Sequence, residues 1–159
     1  MPRLVFVSVF VLLLFNACEK PPSYDETPFI SWGSFSVDTV DQLNGVLTVA
    51  FNFEDGDGDL GNDTDTSNHI ILVDTRRTPN DTLFYRLPEI EPQGVVSSIS
   101  GKIEVTLSQL CCIDPNNPLI LCNSIQDYYD PIVYKIRIRD NAGRWSNEIE
   151  SPPLYVKCF

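Results

Sequence analysis

One stretch of this chain concentrates chemically useful side chains: Phe53-Glu54-Asp55-Gly56-Asp57-Gly58-Asp59-Leu60-Gly61-Asn62-Asp63-Thr64-Asp65. Carboxylates recur at every second position from 55 to 59, and the intervening glycines leave the backbone free to curl. Ionised carboxylates held this close repel one another, and a bound cation relieves that repulsion. Ca2+ accepts six to eight oxygens in loose geometry, whereas Mg2+ asks for a near-ideal octahedron. The pattern therefore predicts a Ca2+ site with Asp55, Asp57 and Asp59 as its centre and Asp63 and Asp140 as further donors.

The Asp-x-Asp-x-Asp spacing resembles the start of EF-hand and dockerin-type calcium loops. With Asp55 as the first position, Leu60 stands where those loops carry glycine and Thr66 where they carry a bidentate glutamate. No flanking helix is predicted either, so the expectation is a calcium loop set on another scaffold. Catalytic signatures are sparse. The chain has a single histidine, His69, with no Gly-x-Ser-x-Gly elbow and no His-Glu-x-x-His pair. Paired carboxylates can serve a glycosidase or a metal-assisted hydrolase, but a glycine-rich loop fixes their separation poorly. The chain reads as non-enzymatic.

The elements that must position this loop are strands. Leu47, Val49, Phe51 and Phe53 alternate with Thr48, Ala50 and Asn52, the period of a half-buried strand. Ile103, Val105 and Leu107 repeat it, as do Ile132, Tyr134, Ile136 and Ile138. Ile70–Val73 is a continuous apolar run, Thr82–Leu87 a weaker strand, and Leu154 with Val156 a last one after Pro152-Pro153. No stretch shows a helical period. About seven short strands separated by turn signals predict an all-β antiparallel sandwich.

The segment Tyr134-Lys-Ile-Arg-Ile-Arg-Asp140-Asn-Ala-Gly-Arg-Trp-Ser146 resembles the F strand and F–G turn of fibronectin type III and related immunoglobulin-like domains. The resemblance implies a single immunoglobulin-like sandwich over residues 29–159. It also implies that the B–C and F–G loops share one end, bringing Asp140 and Asn141 to Asp55–Asp59. Along the hairpin, Lys135 is expected to face Glu150 and Arg137 to face Glu148, which accounts for the cationic stripe by cross-strand pairing. Trp145, beside the turn, is a candidate contact residue or a cover for the sheet edge.

Cys111, Cys112, Cys122 and Cys158 allow three disulfide connectivities. Zinc is the weaker reading, because no Cys-x-x-Cys spacing occurs. A hairpin turning between Asn116 and Asn117 sets Cys111 opposite Cys122, and Cys112, on the other face, is left for Cys158. A one-residue shift of that turn would exchange the two cysteines.

The N-terminus gives location. Arg3 precedes an apolar run, Leu4 to Phe15, of roughly twelve residues, short of the ~20 that span a bilayer. Leu14-Phe15-Asn16-Ala17-Cys18 resembles the lipobox of bacterial lipoproteins, which implies a signal peptide over 1–17 and lipidation at Cys18. Residues 18–28, with Pro21-Pro22, have the composition of an extended tether. The net charge of −11 argues against nucleic acid as a partner and against electrostatic adsorption to anionic lipid. The expectation is a lipid-anchored protein of the bacterial cell envelope, at the outer membrane, binding a glycan or a protein. A structural subunit of an envelope complex is the alternative. Asp38-Thr39-Val40 and Asp81-Thr82-Leu83 resemble an O-glycosylation signal used by some Gram-negative bacteria.

Overall fold

A computed structural model describes residues 23–64, 66–77, 79–91, 97–122 and 127–159. The signal segment, Cys18, the start of the tether and Asp65 lie outside the described residues.

The described chain is all-β, with twelve strands in four sheets. Strands β1 (Phe29–Phe35), β3 (Val46–Asp55) and β6 (Ile99–Ser108) form the first sheet, in the order β1-β3-β6. Strands β4 (Ile70–Asp74), β5 (Asp81–Tyr85), β10 (Tyr134–Ile138) and β11 (Ile149–Glu150) form the second, ordered β11-β10-β4-β5. The third sheet sets β12 (Leu154–Lys157) between β2 (Thr39–Asp41) and β9 (Tyr129–Ile132). Strands β7 (Ile113–Asp114) and β8 (Asn117–Leu121) make a separate hairpin.

Part of the excess over the expected seven strands has a local reason. The run Ile132–Ile138, read as one strand, is divided at Val133 between two sheets. Its side-chain phase survives the division, since Ile132, Tyr134, Ile136 and Ile138 are all buried. The final strand follows Pro152-Pro153 as expected, since proline donates no backbone hydrogen bond and a ladder readily ends there. Strand β12 nevertheless pairs in parallel with β2, where the sequence predicts an antiparallel sandwich.

Buried residues of the three larger sheets join in one apolar cluster that includes Phe51, Val105, Leu72, Ile136 and Leu154. Strands β3 and β6 pair without a slip from Val46↔Ser108 to Asp55↔Ile99. On β3 the inward positions are Leu47, Val49, Phe51, Phe53 and then Asp55. The last inward position of a hydrophobic strand is thus a carboxylate.

Far from Asp55, two disulfides close the structure. Cys111 bonds to Cys122 and Cys112 to Cys158, with Cα separations of 4.6 and 5.9 Å. The hairpin register behind the first differs from the one the sequence predicts. Asp114 pairs with Asn117 and Ile113 with Leu121, with a bulge between, so the turn centres on Pro115-Asn116. The backbone N–H of Cys122 donates to the carbonyl of Cys112, at 2.9 Å. Cys122 nevertheless reaches the sulfur of Cys111, and it does so from a left-handed backbone (φ 56°).

Candidate metal centre

Asp55 is fully buried because the period of β3 directs it inward. Beyond it the chain turns through Gly58 (φ 71°) and Gly61 (φ 78°). Between those glycines, Leu60 inserts into the core with no exposure and anchors the loop. The residue that departs from the EF-hand pattern is therefore the one that fastens this loop to the domain. Gly61 admits no side chain, since a Cβ there would lie 2.0 Å from the carbonyl oxygen of Pro88.

The anchored loop brings one ligand atom each from Asp55, Asp57 and Asp59 within 4.8 Å of one another. Oxygens bound to one Ca2+ at 2.3–2.6 Å lie no more than about 5 Å apart, so the spacing suits such an ion. Each carboxylate has one oxygen engaged. Asp55 Oδ2 accepts from the backbone N–H of Asp59 (3.1 Å), Asp59 Oδ2 from that of Ala142 (2.9 Å), and Asp57 Oδ2 from Arg144 Nη1 (2.6 Å). The other three oxygens, Oδ1 of Asp55, Asp57 and Asp59, are buried and have no hydrogen-bond partner among the described residues. Buried acceptors without donors are costly, and here three occur side by side.

The electrostatics carry the same signature. Burial, followed by the charges of Asp57 and Asp59, pushes the Asp55 carboxyl up to about 6. Asp59 is raised too, by burial first and then by Asp140 and Asp57. Carboxylates that resist ionisation in isolation gain most from a cation.

The structure brings the two expected loops together. Asn141 N–H donates to the carbonyl of Asp59 (3.1 Å), and its side-chain amide donates to the carbonyl of Gly61 (2.7 Å). The two outer donors are placed differently from Asp55, Asp57 and Asp59. Asp140 is buried, but its oxygens accept from the backbone N–H and Nη1 of Arg144 (2.7 and 3.3 Å). It adds negative charge to the site while closing its own turn. Asp63 Oδ1 accepts from the backbone N–H of Glu89 (3.1 Å) and stands outside the three-carboxylate group.

Sequence reasoning missed Arg144, Glu26 and His69. Arg144 Nη1 spans Asp57 and Asp140, and its Nη2 lies 3.0 Å from Glu26 Oε2. The signal was present: Arg144 is the one cation in the turn expected to close on the acidic loop. His69 is buried and its Nε2 lies 3.2 Å from Asn141 Oδ1, so the histidine orients the amide that clasps the loop.

The cationic stripe also differs from expectation. Lys135 pairs with Glu150 as predicted and also takes Glu148, at 3.3 and 3.4 Å. Arg137 is left to stack over Trp145, 5.2 Å from the ring centroid, with Arg139 at 5.6 Å. Trp145 is accordingly half-buried under two guanidinium groups rather than a free aromatic surface.

No family model, no curated protein and no solved structure matches this chain.

Proposed function

We propose that this chain is a non-catalytic, lipid-anchored module of a bacterial cell envelope, held by Ca2+ at its Asp55–Asp59 loop and used to bind a protein or a glycan. The observation that carries the cation is the trio of buried, unpartnered oxygens on Asp55, Asp57 and Asp59. Three carboxylates on a glycine-rich loop suit the flexible six-to-eight oxygen shell of Ca2+ better than the near-ideal octahedron of Mg2+. The sheet orders β1-β3-β6 and β11-β10-β4-β5 support an immunoglobulin-like sandwich, with β1, β3 and β6 as strands A, B and E and β4, β10 and β11 as C, F and G. In that frame the cation would stiffen the B–C loop against the F–G turn, at one end of the sandwich. The anchor is supported by the lipobox-like segment that ends at Cys18.

Titration calorimetry with Ca2+ and with Mg2+ tests the site. Saturable Ca2+ binding that is lost in Asp55→Asn is expected; no heat with either ion, and an unfolding midpoint unchanged between EDTA and millimolar Ca2+, would remove it. Fatty-acid labelling of the wild type and of Cys18→Ser tests the anchor. Label in the wild type only, with the variant in the soluble fraction, is expected. A wild type that takes up no label overturns it.

A further inference from the structure

The segment read as the end of a tether is seated on the acidic loop. The N–H of Gly56, the residue between Asp55 and Asp57, donates to the carbonyl of Asp25 at 2.8 Å. The fit is backbone against backbone: a Cβ on Gly56 would lie 2.5 Å from the carbonyl oxygen of Tyr24 and 2.6 Å from that of Asp25. Arg144, which holds Asp57, reaches the same segment through the Glu26 carbonyl (3.2 Å) and the Glu26 carboxylate (3.0 Å). Tyr24 Oη donates to Ser100 Oγ at 3.3 Å, one residue past Ile99, the strand partner of Asp55.

We propose that the cation loop and the stem Tyr24–Glu26 form one cooperative unit: a bound divalent cation seats the stem, and the seated stem tightens the loop's hold on the cation. This inference rests on the cation reading above. Its basis is that Gly56 has a ligand on either side. An ion held by Asp55 and Asp57 fixes the Gly56 backbone, and that fixed N–H is the donor to the stem. Ordering a segment costs conformational entropy, and a second partner that meets an already ordered loop pays less of it. Arg144 adds to the coupling. A cation that neutralises Asp57 loosens the grip of Asp57 on Arg144 and leaves the guanidinium to Asp140, in its own turn, and to Glu26, on the stem. Linkage makes the effect reciprocal, so stem and cation alter each other's binding by one factor. The stem Tyr24–Glu26 is then seated while the cation is bound and released when it leaves. The loop converts divalent-cation concentration into orientation of the domain on its stem.

Two measurements on the full chain test this. Chymotrypsin cleavage after Tyr24 is followed with Ca2+ or EDTA and expressed relative to cleavage after Leu119. Leu119 is 80 % exposed on the far hairpin and corrects for changes in the protease itself. The relative rate should fall fivefold or more with Ca2+, the lower end of ordinary coupling. In Tyr24→Ala/Glu26→Ala, which removes no ligand, the calorimetric Kd for Ca2+ should rise by the same factor. Ca2+ binding with an unchanged cleavage ratio and an unchanged Kd in the variant overturns the coupling and leaves the site standing. Absence of any Ca2+ binding overturns the site and the coupling together.

Discussion

The two ends of the long β3–β6 ladder use the same ingredients, buried carboxylates around one guanidinium, to opposite effect. They are nine residue steps apart, roughly 30 Å of strand. At the far end Arg76 donates to Asp74 through Nε and Nη2 (3.0 and 2.6 Å to Oδ1 and Oδ2), and through Nη1 to Asp130 Oδ2 (2.6 Å) and the Cys111 carbonyl (3.1 Å). Asp130 Oδ2 also takes the backbone N–H of Ile113 (2.8 Å), and both disulfides lie beside it. Two carboxylates face one arginine, and the account closes without help. At the near end, among the described residues, Asp57 and Asp140 pair with Arg144, and three oxygens of Asp55, Asp57 and Asp59 go unanswered. The lesson is that burying acid is compatible with a finished structure when donors match acceptors. Where they do not match, the surplus leaves a carboxylate cluster that could hold a metal ion.

The contrast can be broken most forcefully at the closed end. Arg76→Met strands two buried carboxylates and should cost about 3–5 kcal/mol, read from chemical denaturation. A loss below about 1 kcal/mol would mean the far end is not a closed ion pair network. At the open end the largest effect comes from the ligand. A hundredfold excess of Ca2+ over its Kd should add about 2.7 kcal/mol to wild-type stability and nothing to Asp55→Asn. Equal gains in both proteins would place the cation elsewhere.

The next effect depends on pH. Asp55 titrates near 6 in the folded chain against an ordinary value of 3.8. A raised acid is penalised when ionised, so its cost is absent below pH 4, grows as pH rises toward 6 and is complete above it. In EDTA, Asp55→Asn should match the wild type in stability near pH 4 and exceed it progressively up to pH 7. A flat difference across that window contradicts the raised value. The smallest effect is at the surface. Lys135 and its two glutamates are solvent-exposed, so Lys135→Ala should leave the thermal midpoint unchanged within error. A clear drop would mean that the stripe, not the two ends, organises the hairpin.

Much of this was written locally. The alternation from Leu47 to Phe53 predicts β3, and the strand runs one further step of the same period, to a buried Asp55. The acidic repeat predicts the cluster at 55, 57 and 59, because adjacent loop residues need no distant partner to meet. What escaped has the opposite character. Arg76 meets Asp130 across 54 residues and Arg144 meets Glu26 across 118, and nothing near either arginine indicates which acid it takes. The third sheet was equally hidden, since the parallel pairing of β2 with β12 leaves no mark in either strand's own pattern. Asp63 stands outside the group of three, its Oδ1 accepting from the backbone N–H of Glu89, and such a partner is invisible in a list of carboxylates.

The placement of β12 has a consequence for the order of events during folding. It lies between β2 and β9, and Gln42 beside β2 donates to the carbonyl of Phe159, 117 residues away. A polypeptide emerging from its N-terminus can pair β1 with β3, and β3 with β6, long before Leu154 exists. Strand β2 has no lattice to join until then, and Cys112 has no native sulfur partner. Non-local closures of this kind are slow. In that interval Cys112 sits next to Cys111 with Cys122 already in reach, so thiol exchange among the three can trap a wrong bridge. Correct pairing of these four cysteines is therefore timed by the arrival of the strand β12 and of Cys158 behind it.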